Sequence, residues 1–276
     1  MPGGVYLHSA FKINSGVNKM GIAIITGASS GLGSQFAREL YGRGVRDFWF
    51  IARRGDRMQA LARELGVDAK IICADLTSKE GIMEITAALE AERPMVDFLI
   101  NAAGFGNFGR FDELKNGEAE RMIDLNVKAL VLITEMTVPY MARGGRIIQL
   151  GSSSAFTPLP NFNVYAASKA FVVHYSKALR FELKKYGISV TCFCPCWVNT
   201  EFIGVANKNP NASGPKYVFP IMEEDKVVRR CVRAAMRRRS MYVTNWFAKM
   251  QHVLYKLVPD GLLTRAWLLM QKKENK

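Results

Sequence analysis

The stretch Ile22-Ala23-Ile24-Ile25-Thr26-Gly27-Ala28-Ser29-Ser30-Gly31-Leu32-Gly33 runs from an apolar segment into a glycine-rich turn, and an amphipathic segment, 33–41, follows at once. A strand, a glycine turn and a helix N-terminus in that order form an anion site. Unpaired backbone N–H groups and the helix dipole face the same point, and glycine lets a phosphate approach the backbone closely. The spacing is T-G-x-x-x-G-x-G, not the G-x-G-x-x-G of other dinucleotide-binding turns.

Outward from this turn the same alternation repeats. Residues 22–26, 47–52, 69–74, 96–101, 146–151 and 188–194 are apolar nearly throughout, as parallel strands covered on both faces must be. Between them, 33–41, 57–65, 79–90, 118–141 and 164–185 carry helical periodicity, and 241–244 reads as a last strand. Gly44, Gly66, Gly145 and Gly187 fall near helix ends, where a left-handed cap favours glycine. Strands alternating with helices predict an α/β fold, a doubly wound parallel sheet of the Rossmann kind, with a C-terminal helical extension. The expected division is an N-terminal extension over 1–19, a catalytic domain over 20–244 and a basic amphipathic helical segment over 245–276.

Composition narrows the classes of function. The chain has 276 residues, 49% hydrophobic and 22% charged, which suits a globular domain with a large core. No run reaches the roughly 18 apolar residues of a membrane span, and 1–19 holds no signal-like apolar stretch. Five cysteines, an odd number, predict reduced thiols and a cytoplasmic setting. Cys192, Cys194 and Cys196 alternate on one strand face, a spacing poorly suited to zinc, so no metal is expected. The net charge is +14, and residues 226–276 supply most of it, with 13 Lys and Arg against two acids. No nucleic-acid reader motif accompanies that charge.

Past the second strand stand Ala52-Arg53-Arg54, where an NAD-binding fold places an acid against the ribose 2′-hydroxyl. A guanidinium at Arg53, with Arg54 beside it, suits a 2′-phosphate instead. NADP(H) is therefore the expected cofactor, with NAD(H) the alternative. Further on, Tyr165-Ala166-Ala167-Ser168-Lys169 opens a helical segment, and residues four apart project their phenol and ammonium into one space.

The glycine turn together with the Y-x-x-x-K pair resembles the short-chain dehydrogenase/reductase family, and the likeness extends from Met20 to Thr200. The resemblance implies that Gly27, Ser29, Ser30, Gly31, Leu32 and Gly33 hold the cofactor's phosphates, although many NADP members carry a basic residue where this chain has Ser30. It implies that Asp75, followed by Leu76, contacts the adenine. It matches Asn101, Ala102 and Gly104 to the family's N-N-A-G segment, with Ala102 replacing the second Asn. It also matches Pro195, Val198 and Thr200 to the loop holding the nicotinamide amide, with Cys196 replacing a glycine.

Ser152, thirteen residues before Tyr165, has the family's spacing for the serine that orients the substrate oxygen. Alternation turns Ser153 to the opposite face. Asn126 matches the helix asparagine that disturbs its helix and supports a proton path. Tyr165 is then the general acid and base, and a free phenol, with a pKa of ~10, is a poor one near neutrality. The expectation is that Lys169 and the nicotinamide charge favour phenolate and lower that value. A cofactor-binding regulator or scaffold of the same fold is the alternative, and such proteins typically lose the Tyr or the Lys.

Large apolar residues gather where loops are normally polar: Phe105, Phe108, Phe156, Leu159, Phe162, Trp197 and Phe202. They predict a pocket for a bulky apolar carbonyl or alcohol, such as a steroid, a long-chain aldehyde or ketone, or a lipid-like 3-oxo compound. Residues 204–220 read as a lid. In the C-terminal segment Trp246, Met250, Val253, Leu254 and Leu257 recur at helical spacing, Pro259 and Asp260-Gly261 interrupt, and 262–270 is again apolar. A lid or subunit interface is favoured slightly over peripheral contact with an anionic membrane. Assembly as a homodimer or homotetramer follows from the resemblance alone.

Overall fold

A computed structural model of the protein describes residues 21–206, 221–254 and 257–271. The expected extension over 1–19 and most of the expected lid, from residue 207 to 220, lie outside the described residues.

The strands β1 (Ile22–Thr26), β2 (Phe48–Ala52), β3 (Lys70–Cys73), β4 (Val96–Asn101), β5 (Met141–Leu150), β6 (Ser189–Cys194) and β7 (Met241–Val243) form one parallel sheet in the order β3-β2-β1-β4-β5-β6-β7. Helices cover both faces, in a Rossmann-like arrangement. One face packs Ile25, Phe48, Phe50 and Phe193 against α1 (Gly31–Tyr41), α2 (Gly55–Leu65) and α8 (Glu224–Met236). The other packs Ile24, Trp49, Ile51 and Val190 against α3 (Lys79–Glu92), α5 (Leu130–Thr137) and α6 (Asn163–Leu183). Neighbouring strand residues thus go to opposite cores, which is why these strands read as unbroken apolar runs. Strand order reverses at β1 and β4, and the crevice at their C-terminal ends is where a doubly wound sheet places its ligand.

Three details differ from the sequence expectation. The helix expected over 118–141 is broken into α4 (Glu118–Ile123), a π-helical turn (Asp124–Ala129), α5, and a 3-10 turn (Val138–Tyr140). Pro139 has no N–H and clashes with the preceding turn, so regular helix stops there and β5 starts at Met141 instead of 146. The left-handed glycine of this stretch is Gly144 (φ 95°), within β5, and not Gly145; the Gly144 N–H donates to the Gly187 carbonyl at 3.2 Å.

After β7, α9 (Trp246–Leu254) and α10 (Asp260–Gln271) complete the described chain. Ala248 of α9 is fully buried, whereas Trp246, Met250 and Val253, and Leu257 beyond the helix, are exposed. These four members of the apolar stripe read from the sequence therefore face outward. No helix among the described residues is long and apolar enough to cross a membrane.

Candidate active site

The glycine turn lies at the C-terminal end of β1 and opens directly into α1. Gly33 is required by packing, because a Cβ there would lie 2.1 Å from the Gly27 carbonyl oxygen. The turn can fold this tightly only with a bare backbone, which leaves its N–H groups at the helix end accessible to an anion. Leu32 packs its side chain toward the first core, so its contribution to the turn is backbone. Across the cleft, the Thr200 side chain lies 3.6 Å from the position a Gly31 Cβ would occupy, so the loop after β6 meets the turn. That loop is pinned by a bridge from Val198 to Met222, by a hydrogen bond from the Cys196 N–H to Thr244 Oγ1 (3.0 Å), and by the Pro195 carbonyl accepting from the Ser153 N–H (2.8 Å).

The two arginines after β2 divide their work. Arg54 reaches over the turn, donating to Ser30 Oγ at 2.6 Å and to Ser29 Oγ at 3.2 and 3.3 Å. Arg53 is exposed and lies close enough to help hold the Asp75 carboxylate low, although the Thr77 N–H bonded to Asp75 contributes most. The sequence placed Arg53 first for a 2′-phosphate, whereas the geometry seats Arg54 on the turn. Serine hydroxyls and guanidinium N–H groups around a glycine turn are the donor set a phosphorylated dinucleotide requires.

Two further cofactor candidates turn inward. The Asn101 amide donates to Thr134 Oγ1 (2.9 Å) and Gln149 Oε1 (3.0 Å), which commits it to the interface of β4, β5 and α5. The Leu76 side chain is buried in the second core. At the sheet edge these positions offer backbone. Ala102 and Gly104 follow on the same loop, and Gly104 leaves space beneath it, since a Cβ there would lie 2.9 Å from Asn126 Oδ1 and 3.3 Å from Lys169 Nζ.

Tyr165 and Lys169 stand on the first turns of α6, both buried. The Lys169 ammonium sits 5.6 Å from the Tyr165 ring centre and donates to the Leu150 carbonyl at 2.7 Å. The Tyr165 phenol hydrogen-bonds with Ser152, whose Oγ is held by the Ser154 N–H and Oγ, each at 3.1 Å. Ser152, not Ser153, thus meets the phenol. Asn126 sits in the π-helical turn and clamps the loop after β4: its Oδ1 accepts from the Phe105 N–H (3.0 Å), while its Nδ2 donates to the Phe105 carbonyl (2.9 Å) and to Ser168 Oγ (3.1 Å). A π turn widens the helix locally, and such turns are frequent at functional sites.

The expected lowering of the phenol pKa joined Lys169 to the nicotinamide charge, and the protein by itself shows the opposite direction. Burial pushes the Tyr165 phenol up, and the hydrogen bond from Ser152 only partly offsets this. Burial also pushes Lys169 down to about 8. In the protein alone, without a nicotinamide charge, desolvation is therefore the larger effect, and the phenol is held protonated at neutral pH.

The reason is the surrounding wall. Phe108, Met122, Leu159, Phe162 and Tyr165 form one buried cluster, joined by Phe105, Trp197, Phe202 and Trp267. The Phe162 ring stacks 4.4 Å from Tyr165, and Phe202 lies 5.4 Å away. Phe156 does not belong here: it packs with Val172 and Cys192 and lies 4.3 Å from His252. Trp267 was missed by motif reading. Its indole N–H donates to the Pro160 carbonyl at 2.9 Å, and Gln271 holds Asn161 and Pro160, so α10 lies across the apolar wall as a cover. Its only sequence signal was a tryptophan on the second apolar stretch after Pro259. Among the described residues, no three His, Cys, Asp or Glu side chains group as a metal site.

The chain matches the family model for short chain dehydrogenase over residues 21–211. It is 34% identical to an NADP-dependent 3-hydroxy acid dehydrogenase of Escherichia coli over 199 residues, 71% of this chain and 80% of that protein. A short-chain dehydrogenase of Sphingobium yanoikuyae, solved in complex with NADPH, superposes with a TM-score of 0.74 at 29% identity, covering 93% of this chain and 98% of that one. A bulky-bulky ketone specific alcohol dehydrogenase of Comamonas testosteroni superposes with a TM-score of 0.70 at 26% identity, covering 93% and 96%.

Proposed function

The chain belongs to the short-chain dehydrogenase family, and from that premise we propose that it is an NADP(H)-dependent oxidoreductase interconverting a bulky apolar ketone or aldehyde and its alcohol. The observation that carries this reading is the Tyr165 phenol, paired with Ser152, beside Lys169 and facing an aromatic wall. When bound, the nicotinamide carries hydride to or from the substrate carbon. The residues of the chain supply the rest. Ser152 orients the substrate oxygen, and Tyr165, kept protonated by burial, gives its proton to an oxygen that is gaining charge. Lys169 is the cation nearest the phenol once that proton leaves, and Asn126 holds the loop that forms the floor. The glycine turn, Arg54 and Arg53 take the phosphates. The NADPH-bound structure and the NADP-dependent relative support the cofactor choice, and the bulky-ketone enzyme supports the substrate class.

NADPH consumption against ketones of rising size tests this reading. Each methylene buried in the wall contributes about 0.8 kcal/mol, so kcat/KM is expected to rise roughly tenfold or more from an acetone-sized ketone to a bulky aryl or steroid-like one. A flat or falling series would remove the apolar pocket, and no turnover with any carbonyl would return the protein to the scaffold class.

The same reading includes two surfaces. Exposed Phe171 and Phe181 on α6 support a homodimer or homotetramer through the long helices. The outward stripe of Trp246 (73% exposed), Val253 (57%) and Leu257 (76%) lies within residues 226–276, which carry most of the net positive charge, and this supports contact with an anionic bilayer. Sedimentation velocity with and without phosphatidylserine vesicles at low salt reads both. The expected results are a species larger than one chain without lipid, and co-sedimentation with lipid that high salt reverses. A monomer would reject the first surface, and free protein beside vesicles would reject the second.

A further inference from the structure

Arg54 and Arg57 share a partner that lies far away in sequence. Glu201 opens α7 (Glu201–Ala206), directly after the loop that ends at Thr200. Its Oε1 accepts from Arg57 Nη1 at 2.6 Å and its Oε2 from Arg54 Nη1 at 3.3 Å. The same Arg54 guanidinium holds Ser29 and Ser30 of the glycine turn. Ser29, Ser30, Gly31, Arg57, Glu201 and Glu224 line a common groove of about 350 Å³. The other arginine lining this groove, Arg38, is held by Glu64 through both carboxylate oxygens, at 2.7 and 2.8 Å.

A carboxylate bridging two guanidiniums beside two serine hydroxyls occupies the coordination that a phosphate monoester would take. We infer that Glu201 is an internal competitor for the cofactor's 2′-phosphate, and so a specificity-determining residue that weakens NADP(H) binding without touching the part shared with NAD(H). This rests on the NADP(H) reading above. A phosphate dianion arriving at Arg54 must displace the Glu201 oxygen or sit beside it, and both oppose binding: the first breaks an ion pair, the second sets like charges close together. The bridge is half-exposed, with Arg54, Arg57 and Glu201 side chains 42%, 45% and 53% accessible, so the opposition is modest and reversible. 5′-AMP carries no 2′-phosphate and does not meet it.

The experiment is calorimetric titration of the full chain, without turnover, using adenosine 2′,5′-bisphosphate and 5′-AMP as probes. In wild type the bisphosphate should bind more tightly than 5′-AMP. Glu201→Gln, which keeps the shape and removes the charge, should tighten the bisphosphate by roughly three- to fivefold, the upper end of the scale of one exposed ion pair. It should leave 5′-AMP within about twofold, and the gain should shrink at high salt. Glu201→Ala should give the same sign, so the result does not rest on one substitution. Unchanged or weaker bisphosphate binding in both variants, with wild type still preferring it, would overturn the competitor role alone and make Glu201 a group that orients the arginines. A wild type indifferent to the 2′-phosphate would overturn the NADP(H) reading and this inference together.

Discussion

Tyr165→Phe is expected to lower kcat for carbonyl reduction by about a thousandfold, within the ~10²–10⁴ range of a positioned acid, while the protein stays folded and binds its nucleotide. The geometry makes the substitution unusually clean. The ring keeps its place between Phe162, at 4.4 Å, and Phe202, at 5.4 Å, so the packing it contributes survives. What is lost is one hydroxyl and its hydrogen bond with Ser152, and Ser152 retains Ser154 as a partner. A single hydrogen bond of that kind changes stability by about 1 kcal/mol, which sets the expected limit on the denaturation midpoint. Adenosine 2′,5′-bisphosphate should bind the variant as it binds wild type, because the glycine turn and Arg54 lie across the crevice from α6. Steady-state rates and calorimetry on one preparation decide the matter. A kcat within tenfold of wild type would take the proton-transfer role away from Tyr165, whatever the cofactor.

Much of this site was legible in the sequence because its signals are local. The glycine turn follows its strand without a break, and Tyr165 and Lys169 lie four apart on one helix. Strands buried on both faces announce themselves as apolar runs. The features that escaped are those made by residues distant in the chain. Glu201 meets Arg54 and Arg57 across 147 and 144 positions. Trp267 reaches Pro160 across 107. No periodicity encodes such meetings. Phe156 and Phe162 are six residues apart, yet one packs behind the sheet edge and the other against the phenol, since Phe156 ends the 3-10 turn Ser153–Phe156 and Phe162 caps α6. The stripe on α9 shows a further limit: a helical period marks an amphipathic helix without saying which face is inside, and here Ala248 is buried while Trp246 is not. The raised phenol has the same origin. The Tyr-Lys spacing speaks of charge, whereas burial among rings from four separate segments, which no local spacing encodes, sets the direction in the protein alone.

Lys169→Met is expected to abolish turnover and yet make the protein more stable at neutral pH. Lys169 is buried, with its pKa lowered from 10.5 to about 8, so the fold holds a cation that burial disfavours. The sign follows from proton counts. Between pH 8 and 10.5 the unfolded chain keeps the lysine proton that the folded chain has released, so wild-type stability rises with pH across that window and is lowest, for this group, below it. The shift corresponds to about 3 kcal/mol. Methionine has similar volume and carries no charge, but it leaves the Leu150 carbonyl without the donor it has at 2.7 Å, which costs about 1–2 kcal/mol. The net expectation is a gain of about 1–2 kcal/mol at pH 7. Urea midpoints for both proteins at pH 7 and pH 9.5 test this, and taking the difference between them removes every other titrating group common to both. The gap should be widest at pH 7 and should narrow or reverse at pH 9.5. A variant less stable than wild type at pH 7, with a gap that does not change with pH, would show that the Lys169 ammonium is well solvated or well paired in the fold. In that event its loss of activity would reflect a damaged structure. An inactive but stabilised protein would instead mark Lys169 as a residue kept at the expense of stability, as functional groups in dry sites commonly are.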